Sequence, residues 1–309
     1  MDGMAQFRPG IRVSCHQTLK APIGGVGTGV HTGAKVSVRL SPAPAGAGIV
    51  FRRTDLGVDI PARADRVADT RLCTLIADPA NPAARVGTIE HVMAALSGAG
   101  IDNAVVEVDG PELPIFDGSA APYSFLIDCA GVMPLAAARP LIEVLRPVRV
   151  SQGDAWAELA PLSRDDADAL YLTMTIDFAS PAIGRQSRSL CLTEDAFRRD
   201  IARARTFALA EEIEALRAAG LARGGSLDNA VVVDGAKVLN PGGLRFADEC
   251  VRHKLLDAVG DLALAGAPLA ARFTGHRSGH ALNNRLLRAL LDDGSAWRWA
   301  HETSWQAAA

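Results

Sequence analysis

The sequence predicts an α+β fold built twice. Three observations predict it. Residues 249–261 (ECVRHKLLDAVGD) have the spacing of an amphipathic helix, and residues 36–40 (VSVRL) alternate as a half-buried strand does. Residues 102–110 (DNAVVEVDG) recur as 228–235 (DNAVVVDG), each copy following a helical stretch and a glycine-containing connector and each reading as a strand. One matching strand can arise by chance; a duplicated α+β unit explains the recurrence better. The boundary falls near 136–140, which divides the chain into 1–138 and 139–309.

The helical stretch organises the rest. His253, Asp257 and Asp261 recur every four residues and stack along one stripe, with Leu255, Leu256, Val259, Leu262 and Ala263 on the other side. An imidazole and a carboxylate one turn apart can converge on a cation, given a further ligand from elsewhere. The same stripe also reads as the solvated face of a surface helix.

Taken in order, residues 1–20 read as a short lead and a strand. Residues 23–33 (IGGVGTGVHTG) lack the lysine of a P-loop and the spacing of a dinucleotide fingerprint, so their glycines point to a tight hairpin. Residues 41–48 are a Pro/Gly/Ala turn, and 49–76 hold short strands, including 71–76 (RLCTLI). Thr88 reads as the cap of a helix whose apolar face is Ile89, Val92, Met93 and Leu96, with Gly98 as its stop. Glu90 and His91 are neighbours and point about 100° apart, so both can border one cleft. Alone, the pair reads as a surface glutamate beside a core-edge histidine. In the second half, strands are expected at 141–150, 155–160 and 170–176, then a helix at about 194–218. Phe178 and Ile183 are apolar residues in a loop with Pro181 and Gly184, either part of a ligand wall or a satellite cluster. His280 lies in a glycine-flanked turn opening a last helix, a placement common for functional histidines. The tail holds Trp297, Trp299 and Trp305, to which no role is assigned.

Composition narrows the function classes. The chain has 309 residues, 49% hydrophobic and 22% charged, ordinary for a globular protein. A net charge of -3 gives no reason to expect nucleic acid or an anionic membrane as partner. Five cysteines, an odd number with no C-x-x-C pair, argue against a disulfide framework or thiolate zinc site and fit a reducing cytoplasm. No signal peptide and no membrane-spanning apolar run is seen.

From about residue 11 to 291 a set of segments then falls into a known order: GVHTG (29–33), TIEH (88–91), PIFDGSAAP (114–122), ARTF (204–207), GGS (224–226), VRHKLLDAVGD (251–261) and SGHALNN (278–284). In these the chain resembles the UDP-3-O-acyl-N-acetylglucosamine deacetylases, zinc hydrolases of lipid A and hence lipopolysaccharide biosynthesis in Gram-negative bacteria. Each segment is weak alone; together they are specific. The resemblance implies two α+β domains of like topology, each a sheet packed on helices, with the helix layers facing each other and the active site between them. The first would carry Glu90 and His91. The second would carry Thr206, His253, Asp257, His280 and the acyl-passage insert.

The resemblance further implies one zinc ion held by His91, His253 and Asp257, with ferrous iron the alternative metal in the cell. Glu90 would be the general base. His280 would be the general acid or a cationic partner for the oxyanion, oriented by Asp261. Thr206 would hydrogen-bond the oxyanion and Lys254 would contact the substrate. Phe178, Ile183, Gly184 and Phe207 match the region lining the fatty-acyl passage, and Cys73 matches a cysteine near the metal that is not an obligatory ligand. The chain departs from the family at Ala208, commonly glycine, and fits it loosely over 139–150. The expected partner is the small-molecule sugar nucleotide, with no nucleic acid, no stable membrane insertion, and a monomeric cytoplasmic enzyme.

These residue types suit amide hydrolysis. A metal polarises a poor electrophile, a carboxylate beside a ligand takes the water proton, and an imidazolium protonates a poor leaving amine. Two other readings compete: a zinc amidase or deacetylase on a different acylated sugar or amide, lacking the acyl passage, and a non-catalytic nucleotide-sugar-binding module, which would have lost a ligand or Glu90.

Overall fold

The computed structural model describes residues 15–300. Two sheets that share a five-stranded plan carry it, the second extended to seven strands by Leu141–Val144 and Trp297–Ala300. The first contains β1 (Ile23–Thr28), β2 (Lys35–Pro42), β3 (Ile49–Arg53), β4 (Val58–Pro61) and β5 (Ala104–Val108), in the order β1-β2-β5-β3-β4. The second contains β6 (Val148–Gln152), β7 (Ala155–Ala160), β8 (Leu170–Asp177), β9 (Arg185–Cys191) and β10 (Leu269–His276), ordered β6-β7-β10-β8-β9. Within each set of five the last strand in sequence lies at the centre, parallel to one of its neighbours in the set, and every other pairing in the set is antiparallel. In each half two helices bracket that central strand in sequence: α1 (Glu90–Gly98) and α2 (Ala121–Ala130) around β5, α3 (Glu249–Leu262) and α4 (His280–Asp292) around β10. The α+β class with two like sheets is therefore as expected.

The architecture is duplicated, but the recurring segment does not mark its repeat. Its first copy is β5. Its second is the strand Val231–Asp234, which pairs with Phe207–Leu209 and Lys237–Val238 in a separate three-stranded sheet. The counterpart of β5 is β10 (LAARFTGH), which shares no sequence with it. A valine-rich run suits any buried strand, so the match reports burial rather than descent.

β2 shows why the alternating pattern was informative: Val36, Val38 and Leu40 face the core while Lys35, Ser37 and Arg39 face out. The glycine-rich stretch before it is the hairpin β1–β2, as expected. Val132–Ala138 pairs with Cys15–Leu19, whereas Leu141–Val144 joins the second sheet, so the chain changes sheets at Arg139–Pro140. The expected strand over 141–150 is two, Leu141–Val144 and β6. Trp297 and Trp299 sit on the strand Trp297–Ala300 against Leu141–Val144; Trp305 and the lead 1–14 lie outside the described residues.

Three local expectations fail for tertiary reasons. The helix over 194–218 is interrupted: a short helical stretch ends near Ile201, and Phe207–Leu209 is a strand before the helix Ala210–Ala218. Here the backbone bonds outward, Arg205 N–H to Glu249 (3.0 Å) and Thr206 N–H to the Gly118 carbonyl (2.8 Å). The strand over 71–76 begins only at Leu75. Thr88 does not cap α1; Ile89 does, without a side-chain bond, and Gly98 is inside the helix, with Gly100 (φ 72°) taking the left-handed turn beyond it.

The two halves share one continuous core. Their helices meet directly: Asp128 on α2 pairs with Arg198 (2.5 Å), and Arg288 on α4 donates to the Ala64 carbonyl (3.1 Å). α3 lies at the centre, and every residue of it except Arg252 and Lys254 is buried, so the solvated-face reading of its polar stripe is excluded. Leu255, Leu256 and Val259 each contribute about 1.5–3 kcal/mol by burial and hold that stripe inward. No helix among the described residues is long and apolar enough to cross a membrane.

Candidate metal centre and active site

Four stretches converge where α1 crosses α3. The first is the opening turn of α1. Thr88 stands at φ 58°, a left-handed conformation that is unfavourable for a β-branched residue. Such strain costs about 1–3 kcal/mol and persists when its surroundings over-determine it. Here Thr88 Oγ1 donates to Glu112 (3.2 Å), which also accepts the His31 and Thr32 amides (both 2.8 Å) and the Thr32 hydroxyl (2.7 Å). The turn sends both Glu90 and His91 into the interior, at 3% and 2% exposure. The surface-glutamate reading therefore fails, because α1 is enclosed on all sides. α1 comes this close to α3 because Gly260 has no side chain: an added Cβ would overlap the Glu90 carbonyl oxygen and lie 2.8 Å from its carbon.

His91, His253 and Asp257 present ligand atoms that all lie within 4.8 Å of one another. Whether they fit a cation can be judged from their hydrogen bonds. His253 Nδ1 lies 3.0 Å from the Ala204 carbonyl, so Nδ1 carries the proton in the neutral ring and Nε2 is a lone pair. That lone pair faces Asp257 Oδ1 at 3.2 Å. That approach in a buried site is held by a positive charge, a proton on Nε2 or, in its place, a cation shared by the two groups. His91 Nδ1 and Asp257 Oδ1 are both buried without a hydrogen-bond partner. Burial, then His253, pushes the His91 imidazolium down to about 3, so His91 is a neutral donor. Burial works against the Asp257 carboxylate, but His253 and Lys254 outweigh it and hold its pKa well below the usual range. Two imidazoles and one carboxylate form a donor set suited to a divalent cation with a position left open.

Beside this set stand Glu90 and His280. Glu90 Oε1 is 4.0 Å from His280 Nε2, and Glu90 Oε2 accepts the Thr74 N–H at 3.0 Å. Burial, reinforced by Asp257 and Asp261, raises the Glu90 pKa to about 7 although His280 opposes it. Burial disfavours the His280 imidazolium, yet Asp261, then Asp257 and Glu90, carry its pKa up to about 9. The cause is direct: His280 Nδ1 lies 2.9 and 3.2 Å from the Asp261 oxygens. Asp261 also accepts from Thr74 Oγ1 (2.5 Å) and Asn283 Nδ2 (2.9 Å). A base near neutrality and an imidazolium 4 Å away form a proton-transfer pair with separated pKa values.

Lys254 Nζ donates to Asp257 Oδ2 (2.7 Å) and sits 5.6 Å above the Phe207 ring. Thr206, Phe207, Leu72 and Arg277 join the groups above around a cavity of about 500 Å³. Phe178 lies one layer back, edge-on to Phe207 at 5.4 Å, and Ile183 is 5% exposed in the core, with Gly184 (φ 58°) closing its turn. Neither Phe178 nor Ile183 lines the cavity, nor does Cys73, whose thiol is pushed up to about 12 by burial and then by Glu90. A neutral thiol of that kind lies outside the ligand set. Sequence reasoning missed Thr74 and Asn283. Asn283 stands three residues after His280, the spacing that puts it on the same face of α4; Thr74 carried no such signal.

The family model "UDP-3-O-acyl N-acetylglycosamine deacetylase" (LpxC) matches residues 16–292. The UDP-3-O-acyl-N-acetylglucosamine deacetylase of Shewanella frigidimarina is 48% identical over 285 residues, 91% of each chain. The protein of the same name from Idiomarina loihiensis is 49% identical over 287 residues, 92% of each chain.

Proposed function

The chain belongs to the UDP-3-O-acyl N-acetylglycosamine deacetylase family, and from that premise we propose that it hydrolyses the N-acetyl group of UDP-3-O-(3-hydroxyacyl)-N-acetylglucosamine. The products are UDP-3-O-(3-hydroxyacyl)-glucosamine and acetate, and the step is the committed one of lipid A biosynthesis. It is a hydrolase of a linear C–N amide bond in a metalloenzyme family. The observation that carries the reading is the buried His91/His253/Asp257 triad beside the Glu90–His280 pair.

We assign zinc as the metal. His91, His253 and Asp257 would hold it, and when bound it would supply Lewis acidity and a water made nucleophilic near neutral pH. Glu90, fixed by the Thr74 N–H, accepts the water proton on its carboxylate. The Thr206 hydroxyl donates to the carbonyl oxygen as that atom gains negative charge. His280 then delivers its Nε2 proton to the leaving nitrogen, while Asp261 stabilises the imidazolium from Nδ1. Lys254, beside Phe207 and Asp257, meets the anionic part of the substrate. The acyl chain is assigned to the Phe207 side of the cavity, with Phe178 behind it and the loop at Ile183 and Gly184 as support. Residues 1–138 and 139–309 act as two domains, and since one chain supplies both sides of the site we take it as a monomer working in the cytoplasm.

Deacetylation of the acylated UDP-sugar, run with and without a chelator and against acyl-free UDP-N-acetylglucosamine, tests this. Chelator-sensitive acetate release that strongly prefers the acylated substrate is expected. Equal turnover of both substrates would remove the acyl assignment, and chelator-insensitive turnover would remove the metal.

A further inference from the structure

Thr74 belongs to the segment whose sequence looks like a plain strand and whose fold is not one. Residues 70–74 bend, with Leu72 at φ 67°, and the strand starts only at Leu75. Thr74 is 1% exposed, and both its polar donors point into the site. Its N–H donates to Glu90 Oε2 (3.0 Å) and its hydroxyl to Asp261 Oδ1 (2.5 Å). The other donors to Asp261 are His280 Nδ1 and Asn283 Nδ2. Asn283 is itself held by the Ser278 hydroxyl at 2.6 Å. All of these come from the second half; among the described residues Thr74 is the one donor from the first, 187 positions away in sequence.

The consequence is geometric. The terminal torsion of an aspartate is broad, so the carboxylate plane is not fixed by rotamer preference. Asn283 anchors Oδ2 only, and the imidazole Nδ1 that approaches both oxygens is the group being oriented. With Oδ1 free, the carboxylate could rotate about that anchor, and the imidazole that bonds it would follow. Thr74 closes this freedom, and its β-branched χ1 is stiff enough to aim the hydroxyl. Because its backbone amide holds Glu90, the same residue also sets the distance between the two proton-transfer groups. On the hydrolase reading above, we infer that Thr74 is a positioning residue: its hydroxyl fixes Asp261, and through it the orientation of the His280 imidazole relative to Glu90.

Thr74→Val keeps the side-chain shape and the amide bond to Glu90 and removes only the hydroxyl. Thr74→Ser restores the hydroxyl. Steady-state kinetics with the acylated UDP-sugar should show kcat lowered about 10- to 100-fold in Thr74→Val, the range seen when the partner of a site group is removed. KM should stay within about 2-fold and metal content should be unchanged, and Thr74→Ser should recover most of kcat. A second readout does not depend on turnover. In 15N-histidine-labelled protein, the Nδ1–H signal of His280, identified by its loss in His280→Ala, should shift in Thr74→Val and return in Thr74→Ser. A His280 signal unchanged in Thr74→Val would overturn the positioning role, as would a kcat within about 2-fold of the unsubstituted protein. So would Thr74→Ser being as impaired as Thr74→Val, or a kcat loss matched by loss of metal. If Thr74→Val does not melt cooperatively, Thr74→Ala is judged by the same limits. An unsubstituted protein inactive on the acylated sugar counts against the proposed reaction, and the His280 signal then decides the role of Thr74 alone.

Discussion

Gly260→Ala probes the contact on which the centre depends. In the native fold α1 and α3 touch backbone to backbone at this glycine. The new Cβ would sit 2.8 Å from the Glu90 carbonyl carbon and 3.0 Å from its Cα. Carbon–carbon contacts are comfortable at about 3.5–4.0 Å, so the helices must separate by roughly 0.7–1.2 Å. Both contacts are backbone atoms, so no flexible side chain can absorb the shift. Overpacking of this kind costs about 1–3 kcal/mol, and the rigidity of both partners places Gly260→Ala toward the upper end. The functional effect should be comparable with the stability effect, since a 100-fold loss is about 2.7 kcal/mol. His91 rides on α1, while His253 and Asp257 ride on α3, and their ligand atoms lie within 4.8 Å. Metal sites tolerate deviations of about 0.2 Å, and a misplacement of about 1 Å can cost on the order of 100-fold in rate. The expected variant melts cooperatively at a lowered temperature, holds clearly less than one metal per chain, and loses about 100-fold in kcat/KM. Metal analysis, thermal melting and steady-state kinetics on one preparation check this. A folded variant with full metal and native kcat/KM would show that the ligands do not depend on this crossing.

Three further outcomes are expected. His91→Ala, His253→Ala and Asp257→Ala should each purify with depleted metal, whereas Glu90→Gln should keep it and lose about 10²–10⁴-fold in kcat; metal analysis beside kinetics separates the two roles. The kcat/KM profile against pH should be bell-shaped, because Glu90 must be deprotonated and His280 protonated. Rate should rise through a limb at or below about 7, since the metal's charge draws the Glu90 pKa down further, and fall above about 9; His280→Ala should abolish the alkaline limb. Glu249, buried at 0% exposure and paired with Arg205 at 2.9 Å, should cost about 3–5 kcal/mol when replaced by alanine, because the Arg205 charge is left buried. Burial raises the Glu249 pKa but Arg205 prevails and lowers it, so its contribution is complete above the unfolded carboxylate pKa and disappears as pH falls through the folded value. The gap in urea midpoint between native protein and Glu249→Ala should therefore be widest near neutrality and shrink on acidification; a gap independent of pH would exclude this linkage.

Much of the architecture was legible locally. The alternation at 36–40, the glycine-rich hairpin and the periodicity of 249–261 each report a single element, and each formed as read. What failed were segments whose backbone bonds are claimed from a distance. Residues 71–74 have the composition of a strand, but the Thr74 amide serves Glu90 instead of a ladder. The helix expected at 194–218 breaks where Arg205 and Thr206 bond to Glu249 and Gly118. Thr88 has the chemistry of a cap but turns its hydroxyl to Glu112. The Glu90–His91 pair misleads on its own because amphipathic logic assumes one wet face, and α1 has none.

The sequence by itself therefore determined the element types wherever backbone bonding is local, and the four-residue ladder of His253, Asp257 and Asp261. Both follow from local periodicity. Family resemblance in ordered segments supplied the candidate ligands. Only the tertiary structure decided that His91 and His253 stand 5.1 Å apart ring to ring, that Glu90 faces His280, and that Thr74 joins Glu90 to Asp261. These contacts join residues as far as 190 positions apart (His280 and Glu90, 280 − 90), and their distances depend on how closely two helices pack, which no local pattern encodes. One missing side chain, at Gly260, sets that approach.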